Sequence, residues 1–183
     1  MEIRKATMRD IPKLIELING YASLGIMLPR TELEMAEDIR DFTVAEADGR
    51  LVACGALHFY TRASAEVRSL AVDDSMKGKG IGRALLAELE NEARECELET
   101  LFAFTYVPDF FRNLGFLEVD RGELPLKAWR DCMRCPKFQC CDELAMVKYL
   151  HGRDAALAAS RREIAVERTD PSAVLVNLPI VKS

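Results

Sequence analysis

Apolar residues at helical spacing mark two long helices in this sequence. Behind Asp10, which can cap a helix, one helical face carries Ile11, Leu14, Ile15 and Ile18. The spacing returns over residues 82–98, where charged residues occupy the opposite face and the apolar stripe is Leu85, Leu86, Leu89 and Ala93. Because a surface helix buries one stripe of side chains, the pattern predicts amphipathic helices that start at residue 11 and at residue 82.

Short runs of β-prone residues alternate with the helices. They cover residues 2–6, 42–47, 51–60, 65–72, 100–106 and 116–119, and residues 142–150 form a further strand or apolar segment. Asp48-Gly49 is a strong hairpin signal. The capping pair Thr31 and Glu34 predicts a helix up to about residue 41, and a short helix over 108–114 ends at Gly115. Hairpins combined with helical crossovers predict a mixed α/β sheet.

Composition narrows the class of protein. The chain has 183 residues, of which 49% are hydrophobic and 30% charged, so we expect one main globular domain. The net charge of -5 argues against a nucleic-acid partner. No apolar run is long enough for a membrane span, and the N-terminus lacks the features of a signal peptide. We therefore expect a cytoplasmic protein with no membrane or nucleic-acid partner.

The composition changes after residue 150. We assign residues 1–150 to the domain and 151–183 to a C-terminal extension, for which the sequence offers no function. An Ala- and Arg-rich stretch in the extension is followed by an apolar, β-prone segment over 173–181. Such a segment can pair with the sheet edge of a second copy, so a homodimer is one expectation.

A glycine-rich turn joins the strand that ends at Val72 to the helix from residue 82. Its residues are Lys77, Gly78, Lys79, Gly80, Ile81, Gly82 and Arg83. Glycines let backbone N–H groups converge, and a helix N-terminus together with basic side chains favours an anion. The turn therefore suits a pyrophosphate, although a strand-to-helix turn without a ligand has the same glycines. Neither the dinucleotide G-x-G-x-x-G pattern nor the Walker pattern is matched.

Lys77, Gly80 and Gly82 resemble the signature of the GNAT N-acetyltransferases, with Lys in place of the usual Arg or Gln. Leu114-Gly115-Phe116 resembles a later motif of that family, and the resemblance covers about residues 2–150. It implies a mostly antiparallel mixed sheet with a splayed V between two strands. Acetyl-CoA would lie in the V as co-substrate, with its pantetheine on the backbone of Leu70, Ala71 and Val72 and its pyrophosphate on residues 77–83.

The resemblance also implies catalytic roles. Glu66 stands where many family members carry a general base, although a strand-end carboxylate can also be simply solvated. Phe111 occupies the position of the family's usual Tyr acid and cannot donate a proton. Tyr106 is the alternative acid, although it could equally be an aromatic residue at the rim of the site. Thr105 can donate a hydrogen bond. Water can also protonate the thiolate, since a thiol has a pKa of about 8.5.

Two segments, residues 25–34 and 124–143, resemble stand-alone bacterial N-acetylglutamate synthases, which implies L-glutamate as the acceptor and a first step in arginine biosynthesis. The two carboxylates of glutamate need two cations. Arg30, which precedes a capping box, is one candidate, and Arg68 or Lys137 is the other. L-Glutamine or another small amine is the alternative acceptor. A non-catalytic acyl-CoA-binding regulator is a third reading, which the Phe at residue 111 supports.

Four of the six cysteines lie within ten residues. Cys132, Cys135 and Cys141, with Cys140 beside them, have spacing that can bind zinc. We favour a thiol-rich loop over the acceptor site and expect no metal. A helix over 124–133 should carry Trp129, the only tryptophan. Cys54 and Cys96 are expected to pack in a strand and a helix.

Overall fold

The computed structural model describes residues 1–124, 133, 135, 137 and 140–152. The helices of this part are α1 (Ile11–Ser23), α2 (Glu32–Asp38), α3 (Ile81–Glu95) and α4 (Pro108–Arg112). The strands are β1 (Glu2–Lys5), β2 (Phe42–Ala47), β3 (Arg50–Phe59), β4 (Ser64–Val72), β5 (Thr100–Thr105), β6 (Leu117–Val119) and β7 (Leu144–Tyr149). The extension from residue 153, most of the helix expected over 124–133, and Cys132 lie outside the described residues.

The strands form one sheet in the order β1-β2-β3-β4-β5-β7-β6. Each neighbouring pair is antiparallel except β4 and β5, which are parallel. The parallel pair follows from the connection, because α3 carries the chain back over the sheet between β4 and β5. The mixed, mostly antiparallel sheet predicted from the sequence is confirmed.

The two parallel strands pair over a short length and then separate. Ser64–Glu66 pairs with Thr100–Phe102, and no β5 residue pairs with the remainder of β4. On its other side β4 carries a bulge, where the register shifts between Cys54 and Ala56 and Ser69 adopts a φ of 52°. A bulge bends its strand and increases the local twist. The result is the splayed V that the sequence predicts.

Helices cover both faces of the sheet. On one face α1 and α2 bury Ile11, Leu14, Ile18 and Met35 against β2, β3 and β4. On the other face α3 and α4 bury Leu86, Leu89, Ala93 and Phe111. Cys54 is fully buried, as predicted, and its burial raises the pKa of its thiol to about 12. The prediction that Cys96 packs within a helix was wrong, because its side chain lies exposed at the C-terminal end of α3.

Three helices end before the predicted residue. α2 ends at Asp38 and is followed by a 3-10 turn over Ile39–Asp41, and α4 ends at Arg112. α3 stops at Glu95 instead of residue 98, because Glu97 adopts a φ of 57° and the N–H of Leu98 bonds back to the carbonyl of Ala93. Left-handed residues of this kind end helices. Within the described residues, no helix has the length and apolarity needed to cross a bilayer.

Candidate functional site

A cleft of about 1060 Å³ opens where β4 and β5 separate. Its walls are the diverging parts of these strands, with the glycine-rich turn at 77–83 and the loop at 25–30 also lining it. Of the predicted site residues, the described structure brings all but Lys79 to the lining. The Lys79 ammonium lies 3.3 Å from the Met76 sulfur instead.

Local backbone conformation shapes the glycine-rich turn. Gly78 and Gly80 have φ values of +75° and +78°, and Gly80 is the N-cap of α3. Only glycine adopts this region without strain, so the turn requires both residues. At Gly82 an added Cβ would lie 3.5 Å from Val72 and 3.6 Å from Phe110, which are ordinary van der Waals distances, so the packing of the helix start against β4 does not itself require glycine there. The turn thus presents the N-terminus of a 15-residue helix to the cleft.

Lys77 is held at the start of this turn. Its ammonium lies 2.5 Å from the Asp74 carboxylate and 4.9 Å from the centre of the Tyr21 ring. The Asp74 carboxylate raises the pKa of Lys77, and the ammonium in turn lowers the pKa of Asp74. The Tyr21 hydroxyl donates to the carbonyl of Val72 at 2.6 Å and so connects α1 to the end of β4. Lys77 is therefore a cation near the cleft that an acidic neighbour already partly neutralises.

Glu66 lies at the last position where β4 pairs with β5, so its side chain stands at the branch of the V. It is 9% exposed and lines the cleft. The hydroxyl of Tyr60 donates a hydrogen bond to Glu66 Oε2 at 2.9 Å. A carboxylate that is mostly buried, hydrogen-bonded and still open to a cleft has the properties of a general base.

Tyr106 follows β5 on the opposite wall. Lys137 donates to its hydroxyl oxygen at 3.1 Å, and the same ammonium lies 4.7 Å from the centre of its ring. Burial raises the pKa of Tyr106 more than the neighbouring Lys137 lowers it. Tyr106 therefore keeps its proton at neutral pH. An ammonium can only donate, so in this contact the phenol oxygen accepts and its O–H remains a donor.

Thr105 is buried, lines the cleft, and accepts a hydrogen bond from the N–H of Val107 at 2.9 Å. Phe111 also reaches the cleft, but most of its side chain is in the core, where its ring centre lies 5.1 Å from that of Phe116 and 5.2 Å from that of Phe110. The residue at the family's acid position therefore packs the site without taking part in proton transfer.

Arg30 and Arg68 are both buried in the cleft wall, at 8% and 7% exposure. Asp38 lies between them, 3.7 Å from the Arg30 guanidinium and 2.7 Å from that of Arg68. Asn19 holds the backbone of Arg30 at both ends, since its side chain accepts from the Arg30 N–H and donates to the Arg30 carbonyl. The two arginines thus form a fixed basic region with one shared carboxylate.

Four residues of the site have no sequence signal of their own. Tyr60 and Asp38 bond to predicted site residues, while Arg121 and Glu143 line the cleft. Burial raises the pKa of Glu143, and the Cys141 thiol lies 3.7 Å from its carboxylate. Tyr60 stands six residues before Glu66 in the same hairpin, but the strand register places His58 opposite Glu66, so the register alone does not identify the Tyr60 contact. The others come from distant parts of the chain.

The cysteine-rich segment is only partly described. Cys135 and Cys141 line the cleft, whereas Cys132, the third residue of the predicted zinc set, lies outside the described residues. Among the residues that are described, metal-ligating groups come within 4.8 Å of one another at Asp38, Asp41 and His58. The Arg68 guanidinium lies within 3.8 Å of both carboxylates there. This cluster is therefore an ion-pair network with its own cation.

Comparisons with known proteins agree with this geometry. The chain matches the acetyltransferase (GNAT) family over residues 13–118. It is 42% identical to an uncharacterized N-acetyltransferase of Chlorobaculum tepidum, over 81% of this chain and 96% of that protein. It is 36% identical to an amino-acid acetyltransferase of Mycobacterium tuberculosis, over 64% of this chain and 69% of the relative.

A solved structure extends the comparison to a complex with ligands. N-acetylglutamate synthase from Neisseria gonorrhoeae, complexed with coenzyme A and N-acetyl-glutamate, is similar with a TM-score of 0.76 and 30% identity. The similarity covers 82% of this chain and 35% of the synthase, so this chain corresponds to about a third of that protein.

Proposed function

The chain belongs to the acetyltransferase (GNAT) family and is an acetyl-CoA-dependent N-acetyltransferase, and we propose that it transfers the acetyl group to the α-amine of L-glutamate. The observation that carries the proposal is the position of Glu66. It lies in one cleft together with an anion-binding turn and two buried arginines. The amino-acid acetyltransferase and N-acetylglutamate synthase relatives support the same acceptor.

We assign the donor side of the cleft to acetyl-CoA. The backbone N–H groups at residues 77–83 would hold the pyrophosphate, with Lys77 and Arg83 adding charge. The edge of β4 over Leu70, Ala71 and Val72 would pair with the pantetheine amides, because β5 leaves that edge open. This arrangement would bring the thioester to the branch of the V beside Glu66.

The chemistry follows from the two walls of the cleft. Glu66 takes a proton from the α-ammonium group, and the free amine attacks the thioester carbonyl carbon. When the tetrahedral intermediate collapses, the C–S bond breaks and the nitrogen passes its second proton to water. The CoA thiolate takes a proton from Tyr106, which regains one from water, and Glu66 returns its proton to solvent, so one proton is released overall. Thr105 would orient the acceptor by a hydrogen bond.

The acceptor site would lie at the basic end of the cleft. Arg30 is the stronger clamp for one carboxylate, since Asn19 fixes its backbone. Arg68 is bonded to the Asp38 carboxylate at 2.7 Å. Lys137, in contrast, contacts the neutral Tyr106 hydroxyl and lies 3.9 Å from the Asp142 carboxylate, which makes Lys137 the better partner for the second carboxylate. With these roles residues 1–150 would form the catalytic domain for the first step of arginine biosynthesis. The reaction would take place in the cytoplasm and would need no zinc or other metal.

L-Glutamine is the second candidate acceptor, and Glu143 favours it. Its carboxyl group lines the same cleft, and a carboxylate accepts from an amide while it repels a second carboxylate. Burial raises the pKa of Glu143 and so reduces that repulsion. Glu143 therefore does not exclude glutamate.

A thiol-release assay over a panel of amino acids tests the proposal. We expect L-glutamate to give the highest kcat/KM and L-glutamine the next, and a preference for a polyamine or a peptide would refute the acceptor assignment. Glu66→Gln should bind acetyl-CoA normally and lose turnover by roughly 100-fold or more. If the wild-type protein released no CoA with any amine, the non-catalytic regulator would be the correct reading.

A further inference from the structure

Tyr60 contacts the residue on which the chemistry depends. We propose that Tyr60 is a positioning residue for Glu66, its hydroxyl holding the carboxylate in one orientation in the cleft wall across the 2.9 Å hydrogen bond to Oε2. The inference rests on the proposed function, because it takes Glu66 as the general base. It adds a residue that the sequence does not single out.

The fold fixes Tyr60 independently of Glu66. The two residues flank the hairpin between β3 and β4, in which Phe59 pairs with Ala65 and the N–H of Tyr60 donates to the Ser64 carbonyl at 3.1 Å. The Tyr60 ring contacts a second ring on each of two strands, with its centre 5.0 Å from that of His58 and 5.5 Å from that of Phe102. The phenol therefore loses little conformational freedom when it bonds to Glu66.

This contact matters for a base because it favours the ionised form. A hydroxyl that donates to a carboxylate stabilises its charge, and a fixed orientation keeps the proton acceptor in line with the substrate amine. The charged and titratable groups around this face are His58 on β3, Arg68 on β4, Asp38 at the end of α2, and Asp41 just before β2. His58 lies 2.5 Å from Asp41, and Arg68 lies 2.7 Å from Asp38. Tyr60 is a neutral hydrogen-bond donor to Glu66 among these groups.

Arg30, Lys137 and Glu143 also line the cleft that Glu66 reaches. These groups stay in place when Tyr60 is changed to Phe, so the substitution isolates the hydroxyl. The ring contacts with His58 and Phe102 stay as well, and we therefore expect the variant to fold.

The test is Tyr60→Phe, with kcat/KM for L-glutamate measured across pH and acetyl-CoA affinity measured separately. Because the carboxylate loses a donor, we expect kcat/KM to fall by roughly tenfold on the acidic side, with the loss shrinking as pH rises. Acetyl-CoA affinity should not change. Tyr149→Phe is the matched control, since Tyr149 packs against the same hydrophobic cluster as Tyr60, and its pH profile should overlay the wild type.

Two outcomes would overturn the inference. One is a Tyr60→Phe profile that overlays the wild type. The other is an equal loss at every pH together with weaker acetyl-CoA binding, which a purely structural role would produce. The proposed chemistry fails separately, if Glu66→Gln keeps wild-type turnover. Loss of turnover in Glu66→Gln with an unchanged Tyr60→Phe profile refutes only the role of Tyr60.

Discussion

The ammonium group of Lys77 lies 2.5 Å from the carboxylate of Asp74, at the entrance to the glycine-rich turn. The pair is exposed, so it contributes little to stability. Its consequence lies in binding, because Asp74 and a cofactor phosphate would compete for the same cation. Lys77 stands where the family usually has Arg or Gln, and in this protein Asp74 is its acidic neighbour.

Asp74→Asn should therefore bind acetyl-CoA several-fold more tightly at low ionic strength. The gain should shrink as salt rises, because salt screens exposed charges. Titration calorimetry at two salt concentrations measures both effects. Glu16→Gln is a matched control, since Glu16 forms a similar exposed pair with Lys13 at 2.6 Å and neither residue lines the cleft. Weaker binding by Asp74→Asn would show that Asp74 orders the turn instead.

Arg30→Ala should raise the KM for the acceptor by roughly tenfold or more and leave the KM for acetyl-CoA nearly unchanged, because a clamp on a carboxylate acts on one substrate only. Steady-state kinetics with each substrate varied in turn checks this. Arg40→Ala is the control, since Arg40 is an exposed arginine nearby in the chain. Equal rises in the two KM values would contradict the clamp role.

Tyr106→Phe should lower kcat by on the order of 10- to 100-fold if the phenol protonates the thiolate. The pKa of Tyr106 is raised, with burial as the main cause. The acid is then present below that pKa and is lost as pH rises through it, so the alkaline fall of the wild-type kcat should lie above about pH 10. Rates of thiol release across pH give the answer. A Tyr106→Phe variant with wild-type kcat would favour water as the acid.

Gly80→Ala and Gly20→Ala should change stability in opposite directions. Gly80 has a φ of +78°, which costs an alanine on the order of 1 kcal/mol. Gly20 lies inside α1 with room for a methyl group, so alanine there should stabilise by roughly 0.5–1 kcal/mol. Thermal unfolding compares the two variants. Only Gly80→Ala should also weaken acetyl-CoA binding. If the two variants were equally stable, the backbone strain expected for alanine at residue 80 would be contradicted.

Much of the fold could be predicted because its signals are local. Apolar spacing located α1 and α3, the capping pair at Thr31 and Glu34 located α2, and Asp48-Gly49 located the hairpin between β2 and β3. Each signal depends on residues that are close together in the chain. The ends of helices were less predictable, as Glu97 shows, since a left-handed non-glycine residue has no clear sequence signature.

By itself the sequence determined the family and singled out the glycine-rich turn and the candidate base, because glycines and charges near a strand end act through the local backbone. Tertiary structure alone decided that Tyr60 holds Glu66, that Asp38 is shared by Arg30 and Arg68, and that Phe111 packs in the core. These contacts depend on strand register, on the divergence of β4 from β5, and on how α2 packs against the sheet. Some of these residues are close together in the chain, but their contacts depend on side-chain directions that only packing between elements fixes, so no local pattern of the chain records them.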